Sequence, residues 1–293
     1  MAKKEVESKG ILLIAAGHAN YGNYALQLAM SLRSNSSIQI SIAYAQNGIS
    51  HLTDVDRAIF DKVIEIPEKY YKTGNRNTYL KSKLFLYQLS PYSETLFLDA
   101  DMLWLPKQSV DIIFEELKDI DFTMQNRGAV DINENNGKFI TWADTKEIKE
   151  AYGFEKGKLF HLSSEFVYFK KTKEVKALFE QTKKEYENLK VKHTFFAGWV
   201  PDELPFAIAM IKNNIYPHKE NFVPVFWQAF EKKRLEPVEL YATYYAYSLG
   251  GATYDTHVKT FYNNLAQYYC NLFGKKAFPL KDKRSYLPER TNI

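Results

Sequence analysis

Two acids separated by one residue, Asp99 and Asp101, close an apolar run, Thr95-Leu-Phe-Leu98, and lead directly into a second, Met102-Leu-Trp-Leu105. Carboxylates at this spacing can both face one divalent cation, which prefers hard oxygen ligands. Such a cation can neutralise a diphosphate and stabilise it as a leaving group. A bare Asp-x-Asp is common in surface loops, but apolar segments flank this one. Two acids held in that setting are costly to bury without partners, so a solvated loop accounts poorly for them. Their place matters as well, because open α/β sheets bind ligands beyond the carboxyl ends of their strands.

The surrounding pattern supplies such a sheet. Gly10 to Ala16 reads as a buried strand, and Ala25, Leu28, Ala29 and Leu32 follow at helical spacing. Ile38 to Ala45 is a second strand, Leu52, Val55 and Ile59 a short helix, and Val63 to Ile66 a third strand stopping at Pro67. Leu80, Leu84, Tyr87 and Leu89 mark a helix entered through the polar loop Thr73 to Thr78, and Thr95 to Leu98 is the fourth strand. Strands alternating with helices predict an α/β fold with a doubly wound, mostly parallel sheet flanked by helices. The second half is less regular: strands near Phe122 and Phe166, helices from Lys173 and Asp202, a strand over Leu240 to Tyr247, and a helix over Lys259 to Phe273. With no repeat and no Gly/Ser linker, residues 1–273 read as one domain. Its regular half covers about 10–125 and its less regular half about 126–273, and a basic tail, 274–293, follows.

Composition narrows the class. Aromatic residues make up 15% of the 293 positions, which excludes disorder, collagen and coiled coil together. The apolar run Ile11 to Ala16 is six residues, far short of the ~20 a membrane span needs. Met1-Ala-Lys-Lys-Glu lacks the apolar core of a signal peptide. The single cysteine, Cys270, excludes an internal disulfide framework and reads as a buried structural residue. A soluble, cytoplasmic protein is therefore expected. The formal charge of +4 is matched by the tail alone, where Lys275, Lys276, Lys281, Lys283, Arg284 and Arg290 face only Asp282 and Glu289. A solvated terminus explains this; contact with an anionic membrane surface or nucleic acid is the alternative. Phe278, Tyr286 and Leu287 suggest that part of the tail docks.

Lys83-Leu84, Leu89-Ser-Pro-Tyr92 and Thr95-Leu-Phe-Leu-Asp-Ala-Asp-Met-Leu103 together resemble the retaining family 8 glycosyltransferases of the GT-A fold. Glycogenin and bacterial lipopolysaccharide galactosyl- and glucosyltransferases belong to that family. Tyr21-Gly-Asn-Tyr-Ala25 with Ser31-Leu32 also resembles its opening nucleotide-binding segment. The resemblance is specific over roughly residues 10 to 106 and diffuse afterwards. It implies a manganese- or magnesium-dependent enzyme that moves a hexose from a nucleotide-diphosphate sugar, most readily a UDP-sugar, to an acceptor hydroxyl with retention.

Carried over position by position, the resemblance makes Asp99 and Asp101 metal ligands, with Asp99 also near the ribose or sugar. Lys83 would contact the donor's phosphates or sugar. Ala15, Ala16 and Tyr21 would line the base pocket, and Arg76 lies in a loop where the family often has a basic residue. Asp202-Glu203 matches a loop acid that the family follows with Gln, giving Asp202 a catalytic or sugar-binding role. Leu162-Ser-Ser-Glu-Phe166 stands where the family shows Asn-x-Gly, and Glu165 faces either the cleft or the surface. The third metal ligand, a His, would be His257, with His218 as the alternative. Each has an ordinary reading too: a packed stem for Lys83, one Tyr among 21 for Tyr21, a helix N-cap after Pro201 for Asp202, a lone histidine for His257. Asn264, Gln267 and the aromatic residues Trp199, Trp227, Tyr254 and Tyr262 fall in the half where an acceptor should lie.

Two other classes compete. Haloacid-dehalogenase-type phosphatases also put Asp-x-Asp at a strand end, but on the first strand and with Thr or Val where this chain has Leu103. An inactive glycosyltransferase-like protein that binds nucleic acid or membrane through its tail is the other. No Walker loop, Cys/His zinc spacing, Gly-x-Gly-x-x-Gly or nucleophile elbow is present.

Overall fold

The structure is a computed structural model that describes residues 8–134, 139–193, 200–227, 235–249 and 256–279. The first strand, β1 (Lys9–Ala16), leads into helix α1 (Asn20–Arg33), then β2 (Gln39–Ala45) and β3 (Lys62–Glu65). A 3-10 helix over Tyr79–Phe85 precedes β4 (Glu94–Asp99), which breaks for two residues and resumes as β5 (Met102–Trp104). Then come α2 (Asp111–Glu116), β6 (Phe122–Asp131), β7 (Lys158–Lys170), α3 (Lys173–Glu187) and α4 (Glu203–Asn213). The chain closes with β8 (Asn221–Phe222), β9 (Val225–Trp227), α5 (Pro237–Thr243), β10 (Ala246–Ser248) and α6 (Thr256–Leu272).

Seven strands form the central sheet in the order β8-β6-β7-β4-β1-β2-β3. β1 pairs in parallel with both β2 and β4, and β2 with β3, while β7 runs antiparallel between β4 and β6. Five of the seven strands therefore point the same way, as the alternating pattern predicts. Side chains alternate between the two faces. Ile11, Leu13, Leu96, Leu98, Phe166 and Tyr168 join one apolar cluster with α1 and α6. Leu12, Phe97, Val167 and Phe169 join the other with α3 and α4. Covering both faces is why β1 and β4 read as unbroken apolar runs. The second sheet, β9-β10-β5, hangs from the end of β4 and sets Ser248 opposite Met102.

Two elements depart from the sequence reading. The pattern predicts one strand over Leu240 to Tyr247, but this stretch is split between α5 and β10. Pro237 has its ring in the first turn of α5, where a missing N–H costs nothing, and Glu236 N–H donates to Glu239 Oε2 at 3.2 Å to close that turn. The helix expected from Leu80 is a 3-10 helix that gives way to α-helix only at Leu86–Leu89. Ser82 Oγ donates to the Tyr79 carbonyl at 2.6 Å within it, a local bond that competes with α-helical pairing.

Candidate functional site

The site lies at the carboxyl ends of β1 and β4. The parallel register sets Ile14 beside Asp99, so Ala15 and Ala16 extend past Asp99 along the same edge. The turn after β2 packs on them closely: a Cβ on Gly48 would lie 2.1 Å from the Ala15 carbonyl oxygen. The start of α1 packs on that turn in the same way, with a Cβ on Gly22 falling 2.2 Å from the Gly48 oxygen. Only glycine permits these approaches, and they bring Tyr21 over the acids. Tyr21 is 42% exposed, and its ring sits edge-on to Tyr24 at 6.3 Å. Burial of its hydroxyl end, then the charges of Asp101 and Asp99, push that hydroxyl up to about 12.

Lys83 is the centre of the polar network. The 3-10 helix points it inward over the Phe97 ring, and Nζ donates to Asp99 Oδ2 at 2.8 Å and to Ser164 Oγ at 3.0 Å. Ser164 Oγ in turn donates to Glu203 Oε1 at 3.2 Å, and Trp142 Nε1 donates to Glu203 Oε2 at 3.2 Å. Burial opposes the ammonium, but the fields of Asp99, Asp202 and Glu203 outweigh it and hold Lys83 charged. Trp142 and its neighbour Thr141 both adopt positive φ, 74° and 47°, a strained pair for residues with side chains. Thr141 Oγ1 holds it by donating to the Phe160 carbonyl at 2.5 Å.

Ser164 and Glu165 reach the site because β7 is irregular there. Ser163 pairs with Gln125 on β6, yet Val167 pairs with the adjacent Met124, so the residues between them leave that ladder. On the other side Phe166 still pairs with Leu98, which leaves Glu165 next to Asp99 in register. Asp202 takes the N-cap position of α4, but its side chain makes no capping hydrogen bond. It is 2% exposed and its Oδ2 has no partner. The capping role expected from Pro201-Asp202 is therefore not what holds this acid in place.

Crowding of acids shapes the electrostatics. Burial and then Asp99 raise Asp101 to about 6. Burial, followed by Asp99 and Asp101, raises Glu165 to about 8. Burial and Asp202 raise Glu203 to about 7. Asp99 is raised by burial against the pull of Lys83. These are groups whose charged forms call for a further cation.

A divalent cation fits Asp99 and Asp101: both are hard oxygen donors at one strand end, and the charge of Asp99 raises the cost of ionising Asp101. Among the described residues no three His, Cys, Asp or Glu side chains are arranged to hold one metal ion. Asp99 and Asp101 would supply two carboxylate ligands, a set of the kind that substrate phosphates and water complete around such an ion.

No family model and no curated sequence matches the chain. Solved structures do. The bifunctional glycosyltransferase WbbM, in its apo form, superposes with a TM-score of 0.58 at 13% identity, over 92% of this chain and 51% of that one. This chain thus spans about half of WbbM's length. The galactosyltransferase LgtC, solved with donor and acceptor sugar analogues, superposes with a TM-score of 0.54 at 13% identity, over 88% of this chain and 95% of LgtC. The fold is theirs. It is the GT-A type that the strand and Asp-x-Asp pattern resembles.

Of the residues singled out in the sequence, the fold gathers Ala15, Ala16, Tyr21, Lys83, Asp99, Asp101, Glu165 and Asp202 at one edge. Arg76 sits exposed in a hairpin pairing Lys72–Thr73 with Arg76–Asn77. His257 is exposed in the first turn of α6. His218 packs edge-on against Phe222 at 4.5 Å and pairs with Thr123 Oγ1 at 3.1 Å. The segment opposite Asp101 instead carries Ser248 and Leu249, whose N–H donates to the Asp101 carbonyl at 3.1 Å. Tyr262 is a core residue, edge-on to Tyr24 at 6.3 Å. Asn264 lines an open cavity with Tyr241, Phe261 and Tyr268, and Gln267 bonds to Asn271 along α6. Trp199 and Tyr254 lie outside the described residues. Cys270 is buried, as expected, and burial pushes its thiol up to about 11. The sequence reading named Ser164 only as part of the stretch Leu162 to Phe166, without a role, and it missed Trp142 and Ser248, which no motif singles out. The tail's first residues dock on α1 and on the short helix Asp54–Arg57: Phe278 N–H donates to Gln27 Oε1 at 2.6 Å, and Lys275 pairs with Asp56 at 2.5 Å. Among the described residues no helix is long and apolar enough to cross a membrane.

Proposed function

We propose that the chain is a manganese- or magnesium-dependent glycosyltransferase that moves a hexose from a UDP-sugar to an acceptor hydroxyl, with retention. The observation that carries this is the Asp99–Asp101 pair at the carboxyl end of a parallel strand, with Lys83 buried on Asp99. A bound cation would supply charge neutralisation of the departing diphosphate. Asp99 and Asp101 would hold it, and Tyr21, Ala15 and Ala16 would receive the nucleoside along the edge of β1. Lys83, fixed by Ser164 and Glu203, presents a permanent positive charge beside Asp99, where developing negative charge on a phosphate is stabilised without reorganisation. Asp202, buried with an unpartnered oxygen, is suited to accept a hydrogen bond from a sugar hydroxyl and fix the ring. The acceptor would enter from the side of β9, β10 and α6.

The phosphatase reading is not favoured. The acids lie on the fourth strand of the main sheet, after β1–β3, and the fold matches glycosyltransferases. An inactive binding protein is not favoured either, since it would have no use for buried, uncompensated acids. Single-turnover hydrolysis of a UDP-sugar panel, run beside a generic phosphate ester, tests the proposal. Release of UDP from one sugar with no ester turnover is expected; robust ester hydrolysis would reverse the assignment.

A further inference from the structure

Gly274 closes α6 with a φ of 64°. Its N–H donates to the Asn271 carbonyl at 3.1 Å, and Lys275 N–H donates to the Cys270 carbonyl at 2.9 Å. This pair of bonds around a left-handed glycine is a helix stop that turns the chain in a fixed direction. It sends residues 275–279 back across α1 as a strap.

The strap is fastened at two points. Lys275 Nζ pairs with Asp56 Oδ1 at 2.5 Å, in the short helix Asp54–Arg57. The Phe278 ring lies 5.8 Å from that of Tyr24 at 67° to it, while its N–H donates to Gln27 Oε1 at 2.6 Å. Tyr24 and Gln27 are 4% and 2% exposed, so the second fastening reaches the buried side of α1. A cavity of about 230 Å³ remains among Leu26, Met30, Cys270 and Lys276. The strap therefore does not pack on α1 along its whole length, and its hold rests on the two fastenings.

Both fastenings lie behind the edge of the site that carries Tyr21. Tyr24 stands edge-on to Tyr21 as well, at 6.3 Å, so one ring links the strap to the residue over the acids. The short helix follows the turn whose Gly48 meets the Ala15 carbonyl and the first turn of α1. Lys275 and Phe278 thus clamp together the two elements that set the position of Tyr21. Tyr262 of α6 also packs on Tyr24, at 6.3 Å. With that second support, α1 should stay folded when the strap is loosened.

We propose that Phe278 and Lys275 are positioning residues: through Tyr24 and Asp56 they hold Tyr21 in place over the acid pair, and so raise affinity for the nucleoside of the donor. The ligand in this inference rests on the glycosyltransferase reading above, whereas the strap does not. The root of the basic tail then has a role separate from the charge that follows it.

The test uses the full chain and two readouts. Calorimetry with manganese measures UDP affinity. Amide hydrogen exchange by mass spectrometry follows the segment carrying Tyr21 and Gly22, whose N–H groups donate to the His18 and Ala19 carbonyls. Losing one edge-on aromatic contact should change an equilibrium about two- to tenfold. Phe278→Ala is therefore expected to weaken UDP binding, and to speed exchange of that segment, by about this factor. Affinity for manganese alone, set by Asp99 and Asp101, should not change, and neither should exchange in α3. Phe278→Tyr, which restores a ring, should recover both readouts. Lys275→Ala should act in the same direction by up to about threefold, since its ion pair is part-exposed. A triple variant, Lys281→Ala with Lys283→Ala and Arg284→Ala, should bind UDP like wild type.

Exchange that quickens in α3 to the same extent would reduce Phe278 to a general stabiliser and overturn the proposal. So would unchanged UDP affinity in Phe278→Ala, or an equal loss in the triple variant, which would assign the effect to the charge of the tail. Failure of wild type to bind UDP would overturn the glycosyltransferase reading. Locally faster exchange in Phe278→Ala would then still establish the strap, and unchanged exchange would remove it too.

Discussion

Replacing Asp101 by Asn should stabilise the protein while abolishing its cation site, and the size of the gain follows from the crowding of acids. Burial and Asp99 raise the Asp101 carboxyl from its ordinary 3.8 to about 6. At 1.36 kcal/mol per pKa unit, holding that carboxylate ionised costs the fold about 3 kcal/mol. Its partial exposure reduces this to about 2 kcal/mol. The sign is that of a raised acid. Its protonated form favours the folded state, so stability is present below about pH 4 and is lost as the pH rises through about 6. The side-chain amide introduced by Asp101→Asn carries no charge, and so the variant escapes the loss. Its advantage should be near zero at pH 4, grow through pH 6 and level off by about pH 7. For a chain of this length 2 kcal/mol corresponds to about 4 °C in melting temperature. Thermal melts followed by circular dichroism at pH 4 to 8, with and without manganese, measure it. Manganese should raise the wild-type melting point and leave that of Asp101→Asn unmoved. A variant less stable than wild type at pH 8, or a difference independent of pH, would refute the reasoning.

Lys83→Ala strips the ammonium from Asp99 and from Ser164, and breaking a buried pair in this way should cost about 3–5 kcal/mol. Urea unfolding should show that cost at pH 8 and a smaller one at pH 5, where Asp101 and Glu203 are protonated in the fold. Trp142→Phe retains the ring but removes the donor to Glu203 Oε2, a loss of about 1–3 kcal/mol by the same assay; an unchanged midpoint would show that the bond is not formed. Gly48→Ala forces a methyl against the Ala15 carbonyl and should destabilise by about 2–3 kcal/mol while weakening nucleotide binding. Manganese affinity should fall roughly tenfold per pH unit below about 6, because the cation must displace the proton on Asp101. A flat profile across that range would place the cation elsewhere.

The donor edge was legible because its determinants are local. Strand β4 runs directly into the acids, and the alternation of β1, α1 and β2 is carried by residues buried on both sides of a parallel sheet. Lys83 was legible as a position but not in its geometry, since the 3-10 helix that turns it inward depends on Ser82 bonding to Tyr79. Glu165 was undecided between cleft and surface. Its direction depends on residues leaving the ladder between Ser163 and Val167, and period-two reasoning cannot register such a slip. Ser248 was invisible because β10 is three residues long and follows a stretch that Pro237 commits to helix. Asp202 read equally well as a cap, and only the absence of its capping bond separates the two roles. His257 is the nearest counterpart of a His-x-x-Gly-x-x-Lys-Pro-Trp stretch that this chain does not carry in full, and α6 holds it exposed in its first turn.

The most direct measurement is calorimetry of UDP binding with and without manganese, in wild type and in Asp101→Ala. If Asp99 and Asp101 hold a cation that binds the diphosphate, wild-type UDP binding should require manganese and Asp101→Ala should lose it. Metal-independent UDP binding, or binding that survives in Asp101→Ala, would contradict the assignment.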